Sequence, residues 1–145
     1  QLRGDLYAEV DKVLVNSAPS ALKSEKLLNE ILAKSEKRGS EDKSEFLIIN
    51  LLSEKSSRRS VLTAASMSAA QYELTIELIF FIAFGDRIIV PETTLSSRKF
   101  FAVSSSNQAA SYEEQLLLQR EMREELLARV ISMAQYNLAR IRNST

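Results

Sequence analysis

Two pairs of adjacent cations, Arg58-Arg59 and Arg98-Lys99, are the side chains best suited to chemistry in this sequence. Guanidinium and ammonium groups bind phosphate and carboxylate, and arginine offers a planar fork to two oxygens of such a group. The chemistry that these residues favour is therefore anion binding. The 19 Lys and Arg residues are balanced by 19 Asp and Glu residues. An anion site must then be a local patch, and nucleic acid is not an expected partner.

Catalytic chemistry is not expected from this composition. The chain has no His and no Cys, which removes the commonest general base, the thiol nucleophile and the thiolate metal ligand. It has only three Gly residues and no glycine-rich loop that could hold a phosphate-bearing cofactor. Acidic pairs and arginines near the C-terminus favour a solvated, salt-bridged helix face: Glu113-Glu114, Glu124-Glu125, Arg120, Arg123 and Arg129. We expect no enzyme activity, no metal site and no cofactor.

The element that must position these cations is predicted most clearly between Tyr72 and Phe84. Every even position in this stretch is large and apolar, a period of two that is typical of a strand with one face on a core. Gly85-Asp86 follows and suits a tight hairpin turn. The return strand is predicted from Arg87 to Val103, with Pro91 indicating an edge or a bulge.

The remaining pattern predicts one α+β domain over residues 1–145. It is a two-layer fold with a roughly four-stranded, mostly antiparallel sheet and two helices, in the order β-α-β-β-β-α. The first two strands should be parallel, through a right-handed crossover. A capping box at Ser111 and Glu114 should start the last helix. The other predicted elements are a strand at 10–15, a helix from Ser17-Ala18-Pro19 to Gly39, a strand from Glu45 to about Leu62, a turn at 63–68 and a final helix to about Ile141.

The last helix carries a wide apolar face. Its main stripe consists of Leu118, Met122, Leu126, Val130, Ala134, Leu138 and Ile141. Further apolar residues flank this stripe: Leu116, Leu117, Leu127, Ile131 and Met133. The wide face either packs in the core or also serves a partner helix.

Pairing Phe84 with Arg87 predicts that Glu73 lies opposite Arg98. If Leu62 pairs with Ala69, Arg58 also lies opposite Glu73, in a row with Arg98, while Arg59 and Lys99 lie on the other face with Tyr72. These charges form either solvated cross-strand ion pairs or an anion-binding patch at one end of the sheet.

The same register predicts apolar residues on the face opposite the Tyr72–Phe84 stripe. This face is either covered by another part of the protein or forms a docking or lipid-contacting surface. Its residues are Phe46, Ile48, Ile79, Phe81, Ile88 and Val90.

Four segments, in order along the whole chain, resemble the LPS-assembly lipoprotein family. They are Gln1-Leu2-Arg3-Gly4, the strand opening Ala70-Gln71-Tyr72-Glu73-Leu74, the aromatic-basic Arg98-Lys99-Phe100-Phe101, and Glu113 through Met122. The family consists of small outer-membrane lipoproteins that sit as a plug inside the β-barrel that inserts lipopolysaccharide into the outer leaflet. Because Gln1 is not a natural initiator, we expect residues before it, and the resemblance implies a lipidated Cys three positions before Gln1.

The resemblance implies a periplasmic domain on the outer membrane, attached by an N-terminal lipid anchor. The implied partners are the lipopolysaccharide-assembly β-barrel protein and lipopolysaccharide itself. Arg98 matches a basic position of the family, whereas Ala65 and Ser111 stand where relatives can carry Arg and Lys. The predicted lipopolysaccharide-binding residues are Arg58, Arg59, Arg98 and Lys99. The alternative function is a generic periplasmic interaction module without a lipid ligand.

Overall fold

The computed structural model describes residues 12–33, 46–61, 69–104 and 107–143. Within them the predicted order β-α-β-β-β-α is confirmed. The strands are β1 (Lys12–Ser17), β2 (Phe46–Val61), β3 (Ala69–Phe84) and β4 (Arg87–Ser104). The helices are α1 (Leu22–Ala33), which follows a short 3-10 turn at Pro19–Ala21, and α2 (Gln108–Asn143). The predicted helix end at Gly39 and the predicted turn at 63–68 lie outside the described residues.

The four strands form one sheet in the order β1-β2-β3-β4. β1 runs parallel to β2, and the following two pairs are antiparallel, as the element pattern predicts. The even positions of β3 from Leu74 to Ile82 are buried, because this central strand presents them to a core shared with both helices. The result is the predicted two-layer α+β fold.

α2 covers the sheet with the predicted apolar stripe. Met122, Leu126, Val130, Ala134 and Leu138 are buried, and Leu118 and Ile141 pack against them. The flanking apolar residues divide: Leu127 and Ile131 join the core, whereas Leu116 and Leu117 remain exposed. None of the helices in the described part of the chain has the length and hydropathy needed to cross a membrane.

α2 begins before the predicted capping box. The backbone N–H of Ala110 donates to Asn107 Oδ1 at 3.2 Å, which is the hydrogen bond of an N-cap side chain to the third helical residue. Ser111 is therefore inside the helix, where it is buried. The prediction that Ser111 caps this helix is wrong, because Asn107 takes that position first.

The β3–β4 hairpin turns at Gly85-Asp86 as predicted. Gly85 has φ of 63°, which only glycine adopts without steric cost, and Phe84 pairs with Arg87. The register then shifts twice, since Phe80 pairs with Thr93 and β4 uses two more residues than β3 over this span. Pro91 lies within this irregular part of an edge strand, as its missing N–H requires.

These shifts change which residues reach each face. Val90 pairs with Ile82 and is 3% exposed, so the prediction that it lies opposite the core stripe is wrong. The bulge beside Ile89 is the physical reason, because one extra residue turns the next side chain over. Ile48, Ile79 and Phe81 are half-buried on the outer face, and Ile88 is 63% exposed there. Both helices pack on the opposite face of the sheet.

A buried polar cluster joins the sheet to both helices. Ser24 Oγ of α1 donates to Glu54 Oε1 at 2.6 Å, and Arg123 Nε of α2 donates to Glu54 Oε2 at 2.7 Å. The side chains of Arg123 and Glu54 are only 11% and 5% exposed. The prediction of a solvated helix face is therefore wrong for Arg123, whose charge is matched by a carboxylate on β2.

Candidate anion-binding site

All four predicted binding residues lie toward the same end of the sheet, but they divide between its faces differently than predicted. β2 is shifted by one residue, so Arg59 pairs with Glu73 and Arg58 pairs with Leu74. A shift of one residue reverses the face of every side chain on the strand. The predicted row of Arg58, Glu73 and Arg98 is therefore wrong, and Arg59 takes the place of Arg58.

Arg59 and Arg98 share one carboxylate on the outer face of the sheet. Arg59 Nη2 lies 2.7 Å from Glu73 Oε1, and Arg98 Nε lies 3.4 Å from Glu73 Oε2. Glu73 is 7% exposed, whereas the arginine side chains are 73% and 64% exposed. Phe100, opposite Glu73 in the register, is exposed. Two cations around one carboxylate leave a net positive charge beside an exposed aromatic ring.

Arg58 lies on the helix face and has a different environment. Its guanidinium carbon is 4.3 Å from the centre of the Tyr72 ring, within the range of a cation–π contact. Its Nη1 donates to Gln115 Oε1 at 3.3 Å. Within the described residues it forms no ion pair with a carboxylate. Arg58 is therefore oriented by neutral groups and keeps its charge available for an anion.

A cleft of about 240 Å³ opens beside Arg58, between the end of the sheet and the first turns of α2. Tyr72, Val103 and Tyr112 provide apolar wall, and the Tyr72 ring also contacts Phe101 with centroids 5.8 Å apart. The complete lining is Arg58, Tyr72, Val103, Gln108, Ser111, Tyr112 and Gln115. A cation at an apolar wall suits an amphiphile whose anionic group meets Arg58.

Lys99 is the least available of the four cations. Its Nζ lies 3.8 Å from Glu125 Oε1, and Glu125 also accepts a hydrogen bond from Ser97 Oγ at 3.0 Å. This pairing directs Lys99 toward α2, away from the Glu73 cluster. The four cations thus lie toward one end of the sheet, as the sequence predicts, but they have different partners: Arg59 and Arg98 pair with Glu73, Lys99 with Glu125, and Arg58 with Gln115.

Gln115 and Tyr112 were missed as site residues. The sequence feature that could have predicted them is Asn107, a favourable N-cap residue. A helix that begins there has its first turns, with Tyr112 and Gln115, beside the end of the sheet. Ser111 lines the same cleft, and Ala65 lies outside the described residues. Among the described residues, no three His, Cys, Asp or Glu side chains converge as metal ligands would.

The fold is similar to that of three solved lipoproteins. Rare lipoprotein B from Shewanella oneidensis is 16% identical with a TM-score of 0.71, covering 90% of this chain and 98% of that one. An uncharacterized lipoprotein B from Nitrosomonas europaea is 13% identical with a TM-score of 0.66, covering 90% and 88%. A minor lipoprotein from Acinetobacter baumannii is 14% identical with a TM-score of 0.62, covering 89% and 92%. No protein-family model matches the sequence, and no curated protein matches it.

Proposed function

We propose that this chain is the periplasmic domain of an outer-membrane lipoprotein that binds lipopolysaccharide and serves as assembly partner and plug of the β-barrel that inserts it. The four sequence segments that resemble the LPS-assembly lipoprotein family support this role. The similar fold of three proteins that are themselves named lipoproteins supports it further. The proposal includes no catalytic activity and no cofactor.

The observation that carries the lipopolysaccharide part of the proposal is the sheet end around Arg58. Lipid A combines phosphate groups with acyl chains, so a receptor needs cations beside apolar surface. Arg58 stands at a cleft with apolar walls, and on the other face of the sheet Arg59 and Arg98 pair with Glu73, opposite the exposed Phe100. In the proposed complex the arginines meet the phosphates, and the neighbouring aromatic side chains contact acyl chains.

Lipopolysaccharide binding by the soluble domain tests this site. The site variant changes Arg58, Arg59, Arg98 and Lys99 to Gln, and a control that removes two charges changes Arg87 and Arg140 to Gln near the opposite end of the sheet. Surface-immobilised lipopolysaccharide should bind the control as it binds the parent chain, with affinity falling as salt rises. The site variant should bind weakly and with little salt dependence. Equal losses in both variants would mean that the charges act without a defined site.

The barrel part of the proposal needs a separate experiment. The full-length lipidated protein is co-expressed with its cognate barrel and isolated through a tag on the barrel in mild detergent. A one-to-one complex is expected. If lipopolysaccharide binds neither form and no barrel is recovered, the alternative of an interaction module without a lipid ligand is the better description.

A further inference from the structure

A second cationic cleft, of about 260 Å³, lies between α1 and α2. It shares no lining residue with the cleft beside Arg58. Its lining is Lys23, Lys26, Leu27, Glu30, Arg120 and Arg123. Four cations and one carboxylate thus face a single groove between two helices.

The spacing of the cations is that of two helical pairs. Lys23 and Lys26 are three residues apart on α1, and Arg120 and Arg123 are three residues apart on α2. Residues at this spacing lie on the same side of a helix. The two pairs therefore face each other across the cleft.

The contacts of these residues leave positive charge on the α1 side. Arg123 is paired with Glu54, and Arg120 lies 3.3 Å from Glu30 and 3.5 Å from Glu124. Lys23 and Lys26 form no ion pair or hydrogen bond within the described part of the chain. Two ammonium groups on adjacent turns of one helix thus remain uncompensated.

Arg123 gives the cleft a fixed donor. Its side chain is 11% exposed, and Glu54 holds it through Nε alone, with Ser24 holding Glu54 from the other side. The N–H groups of Nη1 and Nη2 make no hydrogen bond to any described residue. Because Nε is bound to Glu54 while Nη1 and Nη2 have no hydrogen-bond partner among the described residues, the guanidinium is already oriented to donate to a tetrahedral oxyanion.

We propose that the cleft between α1 and α2 binds a phosphate group, either as the free ion or as the phosphomonoester of a lipid head group. The two charges of a phosphate dianion match those of Lys23 and Lys26, and its oxygens can accept from the free edge of Arg123. This site goes beyond the proposed lipopolysaccharide site, and each can fail without the other because the two clefts share no lining residue.

The test is a titration of the ¹⁵N-labelled domain with inorganic phosphate, in which NMR measures the chemical shifts of the backbone amides. Sodium chloride of equal ionic strength serves as the reference. Saturable shifts are expected at residues 23, 26, 120 and 123, and the variant Lys23→Gln/Lys26→Gln should bind about tenfold more weakly. Lys55→Gln removes an exposed charge from β2 outside the cleft and should leave phosphate affinity unchanged.

A second arm uses dihexanoyl phosphatidic acid below its micelle concentration. Tighter binding than inorganic phosphate at the same amides assigns the site to a lipid head group, and equal binding assigns it to the free ion. The proposal is overturned if chloride gives the same shifts, or if the double Lys variant keeps the parent affinity. Since both lysines are exposed, an unchanged amide spectrum of the unliganded variant will show that the fold is intact.

Discussion

At the scale of single residues, the four cations at the sheet end differ in how much of their charge is already neutralised. Arg59 and Arg98 share Glu73, and Lys99 faces Glu125, whereas the partners of Arg58 among the described residues are the neutral Tyr72 ring and Gln115. An incoming phosphate need not displace a carboxylate from Arg58. Arg58 should therefore contribute most to the proposed binding.

Arg58→Gln is expected to weaken lipopolysaccharide binding by about tenfold, the cost of one charge-assisted hydrogen bond. Lys99→Gln should weaken it by less, because Lys99 already has a carboxylate partner. Surface-immobilised lipopolysaccharide and matched protein concentrations give both values. A larger loss for Lys99→Gln than for Arg58→Gln would show that existing partners do not decide the contribution.

Glu73→Gln should change binding in the opposite direction. Removing the carboxylate leaves Arg59 and Arg98 with their full charge, so affinity should rise by up to about fivefold, because both arginines are exposed and solvent screens their pairing. The free energy of unfolding should fall by about 1 kcal/mol, because both arginines lose the same partner. Binding and urea denaturation are measured on the same preparation. Weaker binding by a folded Glu73→Gln variant would mean that Glu73 positions the arginines for the ligand.

At the scale of the elements, the Ser24–Glu54–Arg123 cluster fixes how both helices sit on the sheet. Arg123→Met leaves Glu54 charged and buried without its ion-pair partner, which should cost about 3–5 kcal/mol of unfolding free energy. The double variant Glu54→Met/Arg123→Met should recover most of that loss, since no buried charge is left. Chemical denaturation of the two single variants and the double variant gives the coupling. Additive losses would show that the pair does not act as a unit.

The start of α2 depends on Asn107. Asn107→Ala should cost about 1 kcal/mol of unfolding free energy, because the Ala110 N–H loses its side-chain acceptor. Asn107→Asp retains the acceptor oxygen and should stay close to the parent in the same denaturation experiment. If the two variants lose equal stability, the hydrogen bond to Oδ1 is not the source of the effect.

Hydrophobic periodicity was enough to predict the strands and helices, but it did not predict the exact pairing of residues between strands. The alternation from Tyr72 to Phe84 and the Gly85-Asp86 turn determine β3 and the start of β4. The bulges near Ile89 and Pro91 add two residues to β4, so Glu73 lies opposite Phe100. A shift of two keeps the face, which is why Arg98 still reaches Glu73.

The register of β2 shifts by one residue, and a shift of one does not keep the face. The register that follows from pairing Leu62 with Ala69 holds between Leu47 and Leu51, and a bulge between Leu51 and Ser53 then adds one residue to β2. An error of one residue exchanged Arg58 and Arg59 between the faces. Sequence could therefore locate the candidate site at one end of the sheet, while the division of its charges required the three-dimensional structure.

At the scale of the whole molecule, the long strands separate two ends with different chemistry. β1 begins beside Phe46, and the Gly85 N–H of the hairpin donates to Phe46 O at 2.9 Å, so β1 and the hairpin share one end. Arg59 lies 13 residues further along β2, which corresponds to about 40 Å of strand. A bilayer has a hydrocarbon core of about 30 Å. The sheet is therefore long enough to place its β1 end and its cationic end at opposite leaflets of a bilayer.

This length gives a prediction for the lipidated protein inside its proposed barrel. The chain has no Cys, so Asp86→Cys at the hairpin and Ser60→Cys at the cationic end can each carry a single label at an exposed position. In reconstituted bilayers, quenchers confined to the leaflet that holds the lipid anchor should act strongly on the Asp86 label and weakly on the Ser60 label. Quenchers in the opposite leaflet should reverse the order. A spin-label distance of about 40 Å between the two sites in the isolated domain provides the control for a straight sheet. Equal quenching of both labels from either leaflet would mean that the sheet lies parallel to the membrane, which is incompatible with the role of a plug.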